Sequence, residues 1–274
     1  TSYRVSDPNM TLAPMTWPGY TFGGWYENAA LSGTPVAQLI TSSIPAGNKH
    51  YYAKLSAAKN YTVQWNLNDS APAGHPASNP NTVTSYTVLD ADVTIQPATR
   101  TGYTFLGWYD NAGFSGAPVT TLRTMDAENK QYFAKWDSMP ISYPINYVLN
   151  DGTPASTTAT NPAGNLTSYT VLTNGSGNIN LLPALRNGYT FQGWYDNAAF
   201  TGAPISSFPA MDAAAKTFYA KWSAPLSYTV QYTLNDGTPA GHPATNPNTV
   251  TSYTVLDPNV TLAPATRTGY DFEG

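Results

Sequence analysis

The feature that most constrains this chain is its self-similarity. The phrase TSYTVLDADVTIQPATRTGYTFLGWYDN, which contains Tyr86, returns around Tyr3, Tyr169 and Tyr253, in steps of 83, 83 and 84 residues. The Trp of its Gly-Trp pair recurs as Trp25, Trp108 and Trp194. An opening phrase recurs as YTVQWNLND from Tyr61, YPINYVLND from Tyr143 and YTVQYTLND from Tyr228. A closing phrase recurs as YYAKL, YFAKW and FYAKW, ending at Leu55, Trp136 and Trp222. Such a period means that one supersecondary unit is built several times over, so the problem reduces to a unit of about 80 residues. Complete modules are expected at 60–136 and 143–222, with the later part of a module at 1–55 and the earlier part at 228–274. The phase of the cut reads as an excerpt from a longer array.

Composition narrows what the unit can be. Only 10% of the 274 residues are charged, 12 basic and 16 acidic, against about 25% in an average globular protein. The 20 Tyr, 9 Phe and 7 Trp supply ample apolar area to bury, which excludes a disordered polyelectrolyte. The 21 Gly and 23 Pro punctuate many turns without making the sequence low-complexity, so short strands are expected. A net charge of −4 comes with no basic run to displace counterions from phosphate, and nucleic acid is excluded as a partner. No apolar run reaches the about 18 residues that a membrane-spanning helix needs, so no membrane insertion is expected in this segment. The absence of cysteine rules out thiol chemistry, disulfides and zinc-thiolate sites together, and fits an exported bacterial protein.

Length differences between copies mark surface loops. From the TSY tyrosine to the glycine of GY is 16 residues in three copies and 19 in the third, where residues 173–178 read TNGSGN. Gly and Asn tolerate positive φ and Pro presets φ at about −65°, so a hairpin tip is expected there, with residues 85–89 pairing antiparallel to 93–96. Residues 103–110 alternate as a strand, with Tyr103, Phe105 and Tyr109 on one face and Trp108 on the other. Gly107 within it suggests a bulge or a close backbone approach. Residues 61–67 and 131–136 have the β-branched and aromatic content of strands. The phrases MDAENK at 125–130 and MDAAAK at 211–216 are each expected to make one helical turn before the closing strand. The outcome is a mainly β array of small modules. The expected core is Tyr20, Phe22 and Trp25 in the first copy, Tyr103, Phe105, Trp108 and Trp136 in the second, and Tyr189, Phe191, Trp194 and Trp222 in the third.

An acid, base or nucleophile should either be unique or recur with the repeat. His75 and His242 lie in matching GHPA phrases, but the middle module has Thr157 and Thr158 there. His50 has Gln131 and Thr217 as its counterparts. All three histidines read as surface loop residues, and no catalytic residue is assigned. The recurring Asp69, Asp151 and Asp236 sit in the LND turn, where such side chains bond their own backbone two residues on. Glu27, Asp110 and Asp196 follow the GWY phrase. Neither set has the dense spacing of oxygen ligands that calcium requires, so no metal and no cofactor is expected. Lys54, Lys135 and Lys221 alternate with aromatics in the closing phrase and read as solvated or edge-protecting.

The phrase GYTFLGWYDNAGFSGAPV, followed by YFAKW and preceded by YTVQWNLND, resembles the internalin-type B repeat, also called the Listeria-Bacteroides repeat, of bacterial surface proteins. The resemblance runs in register over essentially the whole chain, with Leu55 in place of the closing Trp in the first copy. It implies a β-grasp-like fold, tandem arrays at the cell surface or outside the cell, and no enzymatic activity. The function expected is a structural stalk whose partners are its neighbouring repeats, joined by linkers at 137–142 and 223–227 that Pro140 and Pro225 stiffen. A head-to-tail filament is a further expectation, since 228–274 carries the opening strand that 1–55 lacks. The alternative is an adhesion module that binds host glycoprotein or polysaccharide through exposed aromatics, with its ligand-binding residues unassigned. Residues 60–136 hold every phrase of one period and should fold alone. A cooperative thermal transition of that fragment by circular dichroism checks the phase of the module, and a random-coil spectrum would refute it.

Overall fold

A computed structural model describes residues 2–41, 47–152, 157–237 and 240–274. The chain divides into two compact units, Thr1–Met139 and Pro140–Gly274. The first contains a four-stranded sheet in the order Phe105–Tyr109, Lys130–Trp136, Tyr61–Asn66, Ser85–Tyr86. The opening strand Tyr61–Asn66 and the closing strand Lys130–Trp136 are direct neighbours and run parallel, with Lys130 opposite Val63 and Phe133 opposite Asn66. The two outer strands pair antiparallel with them. A parallel pair requires a long crossover, usually helical. Here the described residues contain no α-helix. The crossover instead folds into two-residue ladders, Ala77–Ser78 with Thr99–Arg100 and Val93–Thr94 with Thr121–Leu122, and a single 3-10 turn at Thr124–Asp126.

These pieces enclose a core of Val63, Tyr86, Ile95, Ala98, Trp108, Leu122, Tyr132 and Ala134, onto which Trp65, Phe105 and Trp136 pack. The strand period places Tyr132 and Ala134 on one face, and both are buried. In the second unit the pattern repeats in the order Ser168–Tyr169, Tyr143–Val148, Lys216–Trp222, Phe191–Tyr195, again with opening and closing strands parallel at the centre. Its core trades Ile145 for Val63, Phe208 for Leu122 and Phe218 for Tyr132. Tyr147 stands where Trp65 does, its ring 5.1 Å from Trp194 as Trp65 is 4.9 Å from Trp108. Apolar exchanges of this kind are tolerated when the neighbours adjust together.

The outer parts hold fewer strands. In residues 1–55, Phe22–Tyr26 pairs with Tyr52–Leu55 and Met10–Thr11 with Gln38–Leu39. In residues 228–274, Tyr228–Thr229 pairs with Ser252–Tyr253. Each unit also contains one joint between successive repeats, and the two joints match. Lys59 N–H donates to the Gly19 carbonyl at 2.7 Å and Ser56 N–H to the Thr21 carbonyl at 2.9 Å. In the second unit Leu226 N–H donates to Gly188 at 2.8 Å and Ser223 N–H to Thr190 at 2.9 Å. Gly19 and Gly188 have positive φ, and a Cβ on either would overlap a valine of the following repeat, Val88 or Val255. Only glycine meets both demands.

Three local expectations change. Residues 85–89 and 93–96 do not form a hairpin: Ser85–Tyr86 joins the opening strand and Val93–Thr94 joins Thr121–Leu122. The Asp90 carboxylate accepts from Thr87 N–H at 2.6 Å and turns the chain out of the sheet at once, so each flank meets a distant partner. Phe105 and Trp108 are not on opposite faces, because a bulge between Phe105 and Gly107 shifts the period and brings both rings to the core side, 5.7 Å apart. Gly107, at φ 129°, sits so close to Pro118 that a Cβ would lie 2.6 Å from the proline's own. The bulge recurs at Gly24 and Gly193. The helical turns start one residue earlier than expected, at Thr124 and Ala210, and end where Ala127 and Ala213 turn left-handed.

Trp108 and Trp194 are 2% and 1% exposed, and their indole N–H groups donate to the Gln96 and Leu182 carbonyls at 2.8 and 2.9 Å. Trp108→Ala should cost about 3–5 kcal/mol, enough to unfold a module of ordinary marginal stability. Urea denaturation of the full chain checks this: the transition of residues 60–136 should disappear while that of 143–222 stays.

Candidate functional site

Polar side chains that recur with the period converge on the loop after each opening strand. Arg100 is buried, and its guanidinium donates to the carbonyls of His75 at 2.8 Å, Ala71 at 3.0 Å and Asp69 at 3.3 Å. It also stacks 4.3 Å from the centre of the Tyr103 ring. Arg186 repeats the arrangement with the carbonyls of Thr157 and Asp151 and the ring of Tyr189. Arg267 does so with His242, Asp236 and Tyr270. The arginine thus ties the loop to the GY phrase through backbone carbonyls, a use for which its fan of fixed donors suits it better than lysine. Nothing in the sequence singled these arginines out, although ATR in two copies and ALR in the third occupy equivalent places.

The recurring carboxylates are structural too, but not as expected. Asp69 reaches eight residues on, accepting from Ala77 N–H at 2.7 Å, and Asp151 and Asp236 do the same with Ala159 and Ala244. The neighbouring asparagines cross to the closing strand: Asn68 Nδ2 donates to the Ala134 carbonyl at 2.9 Å and Asn150 Nδ2 to Ala220 at 3.0 Å. Both asparagines have left-handed backbones, which asparagine tolerates. Trp136 and Trp222 complete the crossing by donating from Nε1 to the Leu67 and Leu149 carbonyls, each at 2.7 Å.

Lys135 and Lys221 guard no edge, because in the two complete modules the closing strand is interior to its sheet, whereas Lys54 is exposed on an edge strand, Tyr52–Leu55, as expected. Lys135 Nζ lies 5.1 Å from the Tyr109 ring centre and 5.6 Å from that of Phe114. Lys221 sits equally over Tyr195 and Phe200, and Lys54 over Tyr26. Lysine over an aromatic face gains cation–π attraction while its ammonium stays wet. Phe114 and Phe200 hold left-handed backbones, which bulky side chains avoid unless packing compensates, and each ring packs edge-on against the tyrosine beneath the lysine.

Of the expected core set, Tyr103, Trp108 and Trp194 are buried, whereas Tyr20, Phe22, Trp25, Phe105, Trp136, Tyr189, Phe191 and Trp222 are half-buried. The last three, with Arg186, line a shallow cleft of about 700 Å³ on the second unit. Trp17, which takes the place of the arginine in the first copy, is exposed. Among the described residues no group of three His, Asp or Glu side chains is arranged to hold a metal ion. No helix among them is long and apolar enough to cross a membrane.

His75 corrects the reading of all three histidines as surface residues. His50 and His242 are exposed, but His75 is 1% exposed, edge-on to Tyr103 at 5.9 Å. Burial and then the adjacent Arg100 charge hold its pKa below the ordinary histidine value. A group that folding makes harder to protonate contributes stability that is present above the unfolded pKa, about 6.5, and is lost as pH falls below it. Acidifying from about pH 7 to about pH 5 should therefore weaken the module at 60–136, and His75→Thr, the residue of the middle module, should abolish that loss. Urea midpoints at the two pH values test it.

Comparison with known proteins follows the same period. The Listeria-Bacteroides repeat domain matches residues 3–54, 61–135 and 143–221. A protein of Evansella cellulosilytica named "Putative Gly-rich membrane protein" is 27% identical over 236 residues, 81% of this chain and 24% of that protein. A second from the same organism, named "Putative membrane protein", is 25% identical over 256 residues, 93% of this chain and 34% of its own length. The chain thus spans about a quarter to a third of these relatives. No solved structure matches it.

Proposed function

Because the chain belongs to the Listeria-Bacteroides repeat domain family, we propose that it is a non-catalytic stalk or spacer in a bacterial surface or extracellular protein. The observation that carries this reading is where the recurring polar groups go. Arg100, Asp69, Asn68 and Trp136, with their counterparts in the next module, all bond to backbone groups of their own module. A module whose repeated polar chemistry is spent on its own loops is built to hold a shape. The matching Gly19–Val88 and Gly188–Val255 joints support the same reading, since a repeated joint extends reach in step with copy number. The names of the two relatives, which both include the words "membrane protein", support display at a cell surface.

The cleft lined by Arg186, Tyr189, Phe191 and Trp222 favours a second reading, an adhesion module for host glycoprotein or polysaccharide. A glycan array and a host-glycoprotein pull-down with the full chain separate the two. The stalk reading expects no saturable binding. Saturable binding that Trp222→Ala or Tyr189→Ala abolishes would replace it with the second.

Head-to-tail assembly is part of the proposal for the 274-residue chain. A groove lined by Tyr3, Met10, Leu12, Leu39 and Tyr51 occupies the positions of Tyr86, Val93, Ile95, Leu122 and Tyr132, which surround the opening strand in the complete module. Residues 228–234 of a second copy carry the opening phrase that would fill it. Light scattering should show association of the full chain that rises with concentration and is lost in a trimmed 60–222 fragment. Two equally monomeric samples would remove assembly from the proposal.

A further inference from the structure

We propose that each complete module is a tension-bearing clamp, in which pulling on the chain shears the opening strand against the closing strand. The inference rests on the stalk reading and adds a mechanical function to it. The argument begins with where force enters. A module in an array is pulled through its two linkers, and these attach at the start of the opening strand, Tyr61, and the end of the closing strand, Trp136. The two strands are direct neighbours and parallel, with Lys130 opposite Val63, Gln131 opposite Gln64, Tyr132 opposite Trp65 and Phe133 opposite Asn66. Tension therefore draws them past each other along their own axes. The ladder bonds between them are loaded together, whereas a pair pulled apart from one end surrenders its bonds in turn.

Side chains reinforce that one boundary along its whole length. Near its start Thr62 N–H donates to Asn129 Oδ1 at 3.0 Å, and Gln131 Nε2 donates to Gln64 Oε1 at 2.8 Å. At its far end stand the Asn68–Ala134 and Trp136–Leu67 bonds, and the rings of Trp65 and Tyr132 meet at 4.9 Å. The second module keeps the parallel register, the Asn150–Ala220 bond and the Trp222–Leu149 bond. The flanking strands Ser85–Tyr86 and Phe105–Tyr109 are outside the load path and confine the pair from either side. The boundary that linker tension addresses is thus one that side-chain cross-ties reinforce in both modules. Resistance to force is set by the unfolding barrier along the direction of pull, not by equilibrium stability, so it can be tested apart from stability.

Single-molecule pulling of the full chain by its ends should show two high-force steps, each releasing roughly 250 Å of chain, preceded by low-force extension of the flanking partial repeats. The chain lacks cysteine, so paired cysteines serve as handles. With Asn60→Cys and Ser138→Cys the module is sheared, and with Asn60→Cys and Glu128→Cys the same strands are peeled from one end. The unfolding force is expected to be several-fold higher in shear. Asn68→Gly keeps the left-handed backbone and removes the cross-tie, so it should lower the shear force of the first module, leave its peeling force unchanged and leave the second module as an internal reference. Equal forces in shear and peel, or no high-force step from a chain that circular dichroism shows to be folded, would overturn the clamp. Such a result would leave a spacer that carries no load, whereas saturable glycan binding would count against the stalk reading without altering the force ratio.

Discussion

Everything in the module follows from the parallel pairing of its first and last strands. Two parallel neighbours cannot be joined by a tight turn, so the residues between Asn66 and Lys130 must leave the sheet, cover its face and return. In a chain that is 10% charged and rich in turn-forming residues, no α-helix does this. The crossover is instead a run of short ladders whose backbone groups would be left unsatisfied without help from side chains. Arginine, asparagine, aspartate and indole donors and acceptors provide it, each recurring with the period. The cost of leaving a buried polar group unpaired, about 1–3 kcal/mol, is of the order that decides whether so small a domain folds.

A buried guanidinium held by carbonyls is the clearest case. Arg100 has no carboxylate partner among the described ion pairs, and its charge is met by peptide dipoles and the Tyr103 ring. Such a site is intolerant of a second cation, which is why the burial of His75 beside it matters; the middle module has the uncharged Thr157 in that place.

What could be read from the sequence was what is local or periodic. The repeat, the mainly β character and the glycine bulge at Gly107 all follow from spacing and residue type. The true partners of residues 85–89 and 93–96 are not legible, because turn formers signal a reversal without saying which strands meet across it. The burial of His75 was missed for a related reason: a GHPA phrase looks the same whether solvent or Arg100 and Tyr103 lie above it. The roles of Asn68 and Asp69 depend on partners 66 and 8 residues away, separations at which a single sequence carries no pairing signal. The role of the arginines is equally illegible, since an isolated Arg in a phrase such as ATR carries no sign of the carbonyls it meets.

The exchanged core residues bear on how such a chain reaches its fold during synthesis. Adjacent modules with the same topology risk lending strands to one another, a characteristic failure of repeat proteins. Here the opening strands are not interchangeable. Trp65 brings an indole that donates to Val83 at 2.9 Å, whereas Tyr147 brings a buried hydroxyl that finds no hydrogen-bond partner among the described residues, and Val63 and Ile145 differ by a methylene. A strand lent to the wrong module would overfill one interior and underfill the other, a penalty on both sides of the exchange. Divergence between copies therefore acts as a proofreading device, keeping each newly made module loyal to its own strands.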